Sequence, residues 1–270
     1  MNAIVYITKS NGEQAQFDKN KLLTSLSNAG ASRDVAERVL QRVLKQLYDG
    51  IKTKKIYSIA FRELRRIDNP VASRYEIKWA IMRLGKMQGF SFEQYMGKLF
   101  RKMGYKVKVG QVVRGRNITH EIDLILEKDK ERILVECKHH STPGIWVHIH
   151  TPLYVYARLL DVKDKFTGAM VATNTRFSDQ SIQYAKGVGL KLLSWNYPDT
   201  NNLRNMINSS NLFPVTVLKS VDDVTLDRLL KNELVTLPDL EETPIGYLSK
   251  IIGSRKAAEV MKEVKEIVKI

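Results

Sequence analysis

Asp123, Glu136 and Lys138 are residues whose types and spacing can do chemistry together. Two carboxylates on one face make a hard oxygen site suited to Mg2+, which keeps several waters and takes one or two protein carboxylates plus substrate phosphate. A lysine beside them can stabilise charge growing on a phosphate, or help orient and deprotonate an attacking water. The three meet only if the chain folds back between them, and residues 119–140 read as a β-hairpin. Ile122, Leu124 and Leu126 alternate with Asp123, Ile125 and Glu127, and Ile133, Val135 and Cys137 alternate with Leu134, Glu136 and Lys138. A turn symmetric about Asp129 and Lys130 sets position 123 opposite position 136 and sends Asp123, Glu136 and Lys138 to one side. Cys137 then faces the other way, as a small buried apolar residue. A hairpin carrying only a surface salt bridge would show the same short pattern.

Asp123 followed by Glu136-Cys137-Lys138 resembles the PD-(D/E)XK nuclease core, and the text around it resembles the Mrr-type restriction endonuclease branch. The segment from Ala169 to Leu193 is similar to the second half of that family, so the likeness covers residues 91–196. It implies a restriction-endonuclease-like mixed sheet flanked by helices. Asp123 and Glu136 would hold Mg2+ or Mn2+, Lys138 would assist the water or the transition state, and Glu93 would add a metal or water contact from the first helix. A first-turn glutamate complementing the helix dipole accounts for Glu93 as well. Downstream, residues 151–160 and 178–187 read as helices and 168–173 and 190–195 as strands, an alternation that fits such a sheet.

The chain has 270 residues, 43% of them hydrophobic, which is ample for two or three domains. No apolar run approaches the roughly 18 residues of a membrane span, and no signal peptide opens the sequence. One cysteine excludes an intramolecular disulfide and fits a reducing cytoplasm. The 44 basic and 29 acidic residues leave a formal charge of +15, with a pI near 9.7, which suits a polyanionic partner such as nucleic acid; with the nuclease resemblance, the expected partner is double-stranded DNA. Residues 98–116 are rich in Lys and Arg and contain no acid; Arg114 and Arg116, just before the hairpin, are expected on backbone phosphates. His148 and His150 have a spacing that zinc could use, but no cysteine pattern accompanies them. His120 and His139 or His140 are expected at the cleft rim, with His139 among the DNA contacts.

Residues 1–88 read as a first unit. Strands at 4–9 and 13–17 flank Asn11-Gly12, a strong hairpin signal, and four helical stretches follow with Asp18, Ser32, Thr53 and Asn69-Pro70 as starts. This is a small α-helical domain with a β-hairpin lid. Residues 7–12, 17–22, 48–53 and 75–86 resemble the ATP-cone, a nucleotide-sensing module. The resemblance implies ATP or dATP contacts at Ile7, Lys9, Ser10, Lys21, Leu22, Thr53 and Lys86. Ser10 stands where that family usually carries arginine. No GxxxxGK[ST] loop occurs, so the nucleotide is expected as an effector and not as fuel.

Residues 86–90 read as a short joint, and Ser91 with Gln94 forms a capping box opening a helix whose Phe92, Tyr95, Met96, Leu99, Phe100 and Met103 line one face. The tail, 215–270, reads as helical, and around Gly253 it resembles a helix-hairpin-helix module with Arg255 at a phosphate-facing helix start; a packing or dimerisation helix pair is the alternative. The expected protein is therefore α/β and multidomain: an ATP-cone at 1–88, a catalytic domain at 89–200 and a helical region at 215–270. The expected function is a metal-dependent DNA endonuclease regulated by ATP or dATP and working as a homo-oligomer. The alternatives are a nucleotide-gated DNA-binding regulator that does not cut, and a junction-resolving nuclease.

Overall fold

The structure, a computed structural model, describes residues 4–9, 12–85 and 92–268. The expectations on Ser10, Asn11, Lys86, the joint at 86–90 and the Ser91 cap lie outside the described residues. In chain order the elements are β1 (Tyr6–Thr8), β2 (Gln14–Gln16), α1 (Lys19–Asn28), α2 (Arg33–Leu44), β3 (Ile51–Lys52), α3 (Thr53–Ile67), α4 (Asn69–Tyr75) and α5 (Ile77–Leu84). Then come α6 (Phe92–Lys102), β4 (Lys106–Arg114), β5 (Thr119–Lys128), β6 (Glu131–Lys138), β7 (Trp146–Val147), α7 (His150–Asp161), β8 (Gly168–Thr173), β9 (Arg176–Phe177), α8 (Asp179–Val188) and β10 (Lys191–Leu193). The chain closes with α9 (Leu203–Ser210), a 3-10 turn at Val215–Val217, α10 (Asp223–Lys231), α11 (Leu237–Glu242), α12 (Ile245–Ile252) and α13 (Ser254–Val268). Among the described residues no helix is long and apolar enough to cross a membrane.

Two compact units form. One gathers the described residues of Met1–Ala80, Val217–Asp222 and Leu240–Ile270; the other gathers those of Ile81–Thr216 and Asp223–Asp239. The tail therefore divides between the two units. In the first unit, α13 packs on α4, and the Glu263 carboxylate accepts from the backbone N–H groups of Lys219 and Ser220 at 2.9 and 3.0 Å.

The first unit has the expected helices and hairpin, together with a third strand that the residue pattern does not announce. β1 pairs antiparallel with β2 and parallel with β3, Ile7 lying beside Ala15 on one side and Ile51 on the other. Asp18 caps α1 by accepting from the N–H groups of Asn20 and Lys21, and Ser32 caps α2 through Val35. Two starts differ from expectation. Asp68 caps α4, with Pro70 in its first turn, and α3 begins at Thr53 without a side-chain cap. Leu26, Val39, Val43, Ile51, Ile59 and Leu64 form the core.

The second unit contains the expected mixed sheet, five strands in the order β10-β8-β6-β5-β4. β4, β5 and β6 run antiparallel, and β6, β8 and β10 run parallel. α6 covers one face, where Gly97 meets Val107, Val109 and Leu124. On the other face Val155 of α7 and Ala185 of α8 pack with Ile125, Leu134 and Val171. β4 went unanticipated within the basic stretch; it is an edge strand with Lys106 and Lys108 exposed, a common protection against edge-to-edge pairing.

Candidate active site

The β5–β6 register is the one the symmetric turn predicts: Leu124 faces Val135 and Lys128 faces Glu131 around Asp129-Lys130. Asp129 adopts a left-handed φ of 52°, which an Asp tolerates in a tight turn. One expectation fails just where the chemistry lies. The β5–β6 pairing stops at Leu124, and beyond it Ile122 joins Ile125 in the core cluster under α7, so alternation breaks at Asp123. In β4 the position opposite Asp123 is Gly110, with φ 60°, a conformation that side-chain-bearing residues rarely adopt. Strand distortion of this kind re-aims side chains beside active sites. Here the Asp123 carboxylate accepts the Cys137 backbone N–H at 2.7 Å.

Around that turn of the strand, Glu136 is buried and both of its oxygens are engaged. Lys138 Nζ lies 2.6 Å from Oε1, and Arg158 Nη1 donates to Oε2 at 2.5 Å. Burial pushes the Asp123 carboxyl up to about 6, and the negative charges of Glu136 and Glu93 push the same way against the Cys137 N–H and Lys138. Burial opposes the charge on Lys138, but Glu136 outweighs it and holds the ammonium protonated above its ordinary range. Cys137 is buried, its thiol raised by burial and by the same carboxylates. The structure thus brings Asp123, Glu136, Lys138 and Glu93 into one electrostatic neighbourhood.

Those residues fit a divalent cation. A carboxyl pushed upward by burial, and further by neighbouring negative charge, is one whose ionised form an added positive charge would stabilise, and carboxylate oxygens are the donors Mg2+ prefers. Among the described residues no three His, Cys, Asp or Glu side chains form a metal cage, so such an ion would rely on Asp123 and Glu136 together with water and substrate. Among the described residues the same finding leaves His148 and His150, whose rings lie 6.4 Å apart, without further ligands for zinc.

The other expected residues fall in different places. Arg114 and Arg116 are exposed at the end of β4 and in the following loop. His120, expected at the rim, is buried and donates from Nε2 to Asp161 at 2.8 Å. His139 turns from the rim: its Nε2 lies 3.0 Å from the Ile81 carbonyl on α5, and its ring is tilted against Phe92. Desolvation lowers its pKa. The His140 backbone is clasped by Asn174, whose Oδ1 accepts its N–H and whose Nδ2 donates to its carbonyl. Arg255 lies in the first turn of α13, beside a surface cavity of about 490 Å3, and belongs to the first unit.

In the first unit, Lys9 pairs with Glu13 at 3.0 Å and Lys21 lies 3.8 Å from Asp18, both lysines exposed. The exposed Thr53 donates its hydroxyl to the Thr8 carbonyl at 3.1 Å, tying the start of α3 to β1 beside Ile7 and Lys9. Leu22 packs into the core instead of facing solvent. Ser10 and Lys86 lie outside the described residues.

Sequence reasoning missed Arg158 and Tyr154. The available signal was a lone arginine inside an apolar helical stretch, Val155 to Leu160, facing a sheet.

Three family models match successive segments of the chain. The ATP cone domain model matches residues 5–83, a restriction endonuclease model of Mrr type matches 84–197, and the AF1548-like, C-terminal model matches 213–268. An uncharacterized protein of Archaeoglobus fulgidus is 35% identical over 175 residues, which cover 64% of this chain and 99% of that protein. The crystal structure of AF1548, a protein of unknown function, is 34% identical with a TM-score of 0.59, covering 66% of this chain and 96% of that one. The chain belongs to this AF1548-like family and joins an ATP-cone to an Mrr-type restriction endonuclease-like domain.

Proposed function

We propose that the protein is a metal-dependent DNA endonuclease whose activity is set by ATP or dATP binding to the ATP-cone. The observation that carries this reading is the convergence of Asp123, Glu136 and Lys138, with Glu93 electrostatically coupled, on a restriction endonuclease-like sheet. What a bound Mg2+ or Mn2+ supplies is Lewis acidity toward the phosphodiester and a more acidic attacking water. Asp123 and Glu136 would hold that ion. Lys138, beside Glu136, would act as a cation toward the charge developing on the phosphate oxygens or help orient the attacking water. Exposed Arg114 and Arg116 would bind the backbone of double-stranded DNA without reading its sequence.

ATP or dATP acts as an effector in this reading. Exposed Lys9 and Lys21, with Thr53 at the uncapped start of α3, supply cations and backbone donors for a phosphate chain. The protein would form a homo-oligomer, and effector binding would alter both assembly and cleavage by favouring one state over another.

The test is purified protein on plasmid and on branched DNA, with Mg2+ and each adenine nucleotide. Wild type should nick or cut, and Lys138→Ala should lose cleavage while keeping DNA affinity. Cleavage confined to branched DNA would make it a junction-resolving enzyme. Nucleotide-dependent DNA binding without metal-dependent cleavage on any DNA would make it a regulator.

A further inference from the structure

Arg158 is a buried cation that the reaction outlined above leaves unused. It lies on α7 with 7% of its surface exposed, and arginine is seldom that buried without a partner for its charge. Its Nη1 donates to Glu136 Oε2 at 2.5 Å, and its Nη2 donates to the Tyr154 hydroxyl at 3.0 Å. The guanidinium also stacks over the Tyr154 ring, 4.8 Å from its centroid. Glu136 and Tyr154 thus hold it in place.

The cation on the other oxygen is of a different kind. Lys138 reaches Glu136 Oε1 with a compact ammonium on a flexible stem, and 42% of its side chain is exposed. The carboxylate is buried, but the ammonium end is open to solvent, so this contact is the more exchangeable of the two. Glu136 therefore has one anchored oxygen and one exchangeable oxygen. Asp123, whose only protein donor among the described residues is the Cys137 N–H, is the freer of the two carboxylates.

We propose that Arg158 is the positioning residue for Glu136: it anchors Oε2 so that Oε1, on release from Lys138, is presented to a divalent cation together with Asp123. The proposal rests on the metal-binding reading of Asp123 and Glu136. A glutamate side chain left to itself samples several rotamers, and immobilising it on metal binding carries an entropic cost. An arginine that has already fixed the carboxylate removes that cost. Partners that orient metal ligands in this way typically change affinity by about 10- to 100-fold when removed. Lysine at the same position would keep the charge, but it has neither the planar fork to bridge Glu136 and Tyr154 nor a flat face to stack on the ring. Arg158→Lys thus separates geometry from charge.

The experiment measures Mn2+ binding to the full chain without DNA, following free Mn2+ by electron paramagnetic resonance, with thermal melts on the same samples. Wild type should bind, Arg158→Lys should bind about 10-fold more weakly or worse, and Tyr154→Phe, which removes the hydroxyl but keeps the stacked ring, should weaken binding by less. Tyr154 is largely exposed, so its variant keeps the test decisive if Arg158→Lys fails to fold. Unchanged affinity in the folded variants overturns the positioning role. Tighter binding overturns it as well and makes Arg158 a repelling counter-charge. If wild type itself binds no Mn2+, the metal reading of Asp123 and Glu136 falls, and this inference falls with it.

Discussion

Asp161 and Asp123 belong to the same unit and are treated in opposite ways. Asp161 accepts from the backbone and side-chain amides of Asn117, from Ile118 N–H and from His120 Nε2. Burial works against its charge, but these donors outweigh it and hold the carboxyl well below the usual range. Asp123 accepts from Cys137 N–H, and burial, reinforced by the charges of Glu136 and Glu93, pushes it up to about 6. Four donors converge on the carboxylate that fixes a loop, and a single backbone N–H reaches the one proposed to meet a cation. The loop that Asp161 fixes runs from Arg114 to Ile118, and a Cβ at Gly115 would collide with the Asp161 carboxylate. Under the proposed function, Asp161 is the structural carboxylate and Asp123 the chemical one.

Exchanging each for its amide breaks that comparison most sharply. Asp123→Asn should cut metal-dependent cleavage by a factor on the order of 100 or more, with thermal stability equal to or above wild type because a strained buried charge is gone. Asp161→Asn should do the reverse: the midpoint of thermal unfolding falls by several degrees, while Mn2+ affinity at temperatures where the variant is folded stays as in wild type. Parallel melts and cleavage assays decide it. Loss of cleavage in both variants with equal stability would erase the distinction.

Acidity sharpens it further. Folded Asp123 titrates near 6 and the unfolded side chain near 3.8, so between those values the folded protein holds a proton that the unfolded chain has lost. Its contribution therefore rises as pH falls from about 6 toward 4 and is lost as pH rises through 6. Solvent screening of this partly exposed group keeps the effect to about 1 kcal/mol. Asp161 has the opposite sign, since its folded pKa is depressed: its contribution is present above the unfolded value and is lost on acidification below it. Urea unfolding of wild type and each Asn variant across pH 3 to 8 checks both slopes. A wild-type minus Asp123→Asn difference that stays flat from pH 4 to 7 would show that Asp123 titrates as an ordinary carboxylate.

The hairpin register was legible because a two-residue turn and two alternating runs allow one pairing. Its break at Asp123 was hidden, since Ile122, Leu124 and Leu126 look like an unbroken face; an isolated Gly110 within a strand pattern was the clue. β4 was readable from Val107 and Val109, but interleaved lysines drew it toward a solvated basic stretch. β3 is two residues long and pairs in parallel with a strand far away in sequence, which no local pattern encodes. The C-terminal helices showed their apolar period, whereas the core each joins depends on long-range packing. For Arg158, the sequence shows the misplaced cation and not the glutamate that it meets.

The smallest expected effect links the structural carboxylate to DNA. Arg114 and Arg116 are exposed, and the Arg116 N–H donates to the Asp161 carbonyl at 2.9 Å while Lys165 Nζ donates to the Arg114 carbonyl at 2.6 Å. The backbone beneath both arginines is therefore fixed before any ligand arrives. Removing one cation from the phosphate backbone should flatten the dependence of log affinity on log salt by about 0.9, so Arg114→Ala with Arg116→Ala should reduce the slope by roughly 2 and weaken unrelated sequences alike. Asp161→Asn, which leaves both arginines in place but loosens their loop, should weaken DNA binding at low salt with little change in slope. Equilibrium binding to one duplex from 50 to 300 mM salt separates the two behaviours. An unchanged slope in the double-arginine variant would move the phosphate track off this loop, and an Asp161→Asn protein that binds as wild type would show that the loop needs no anchor.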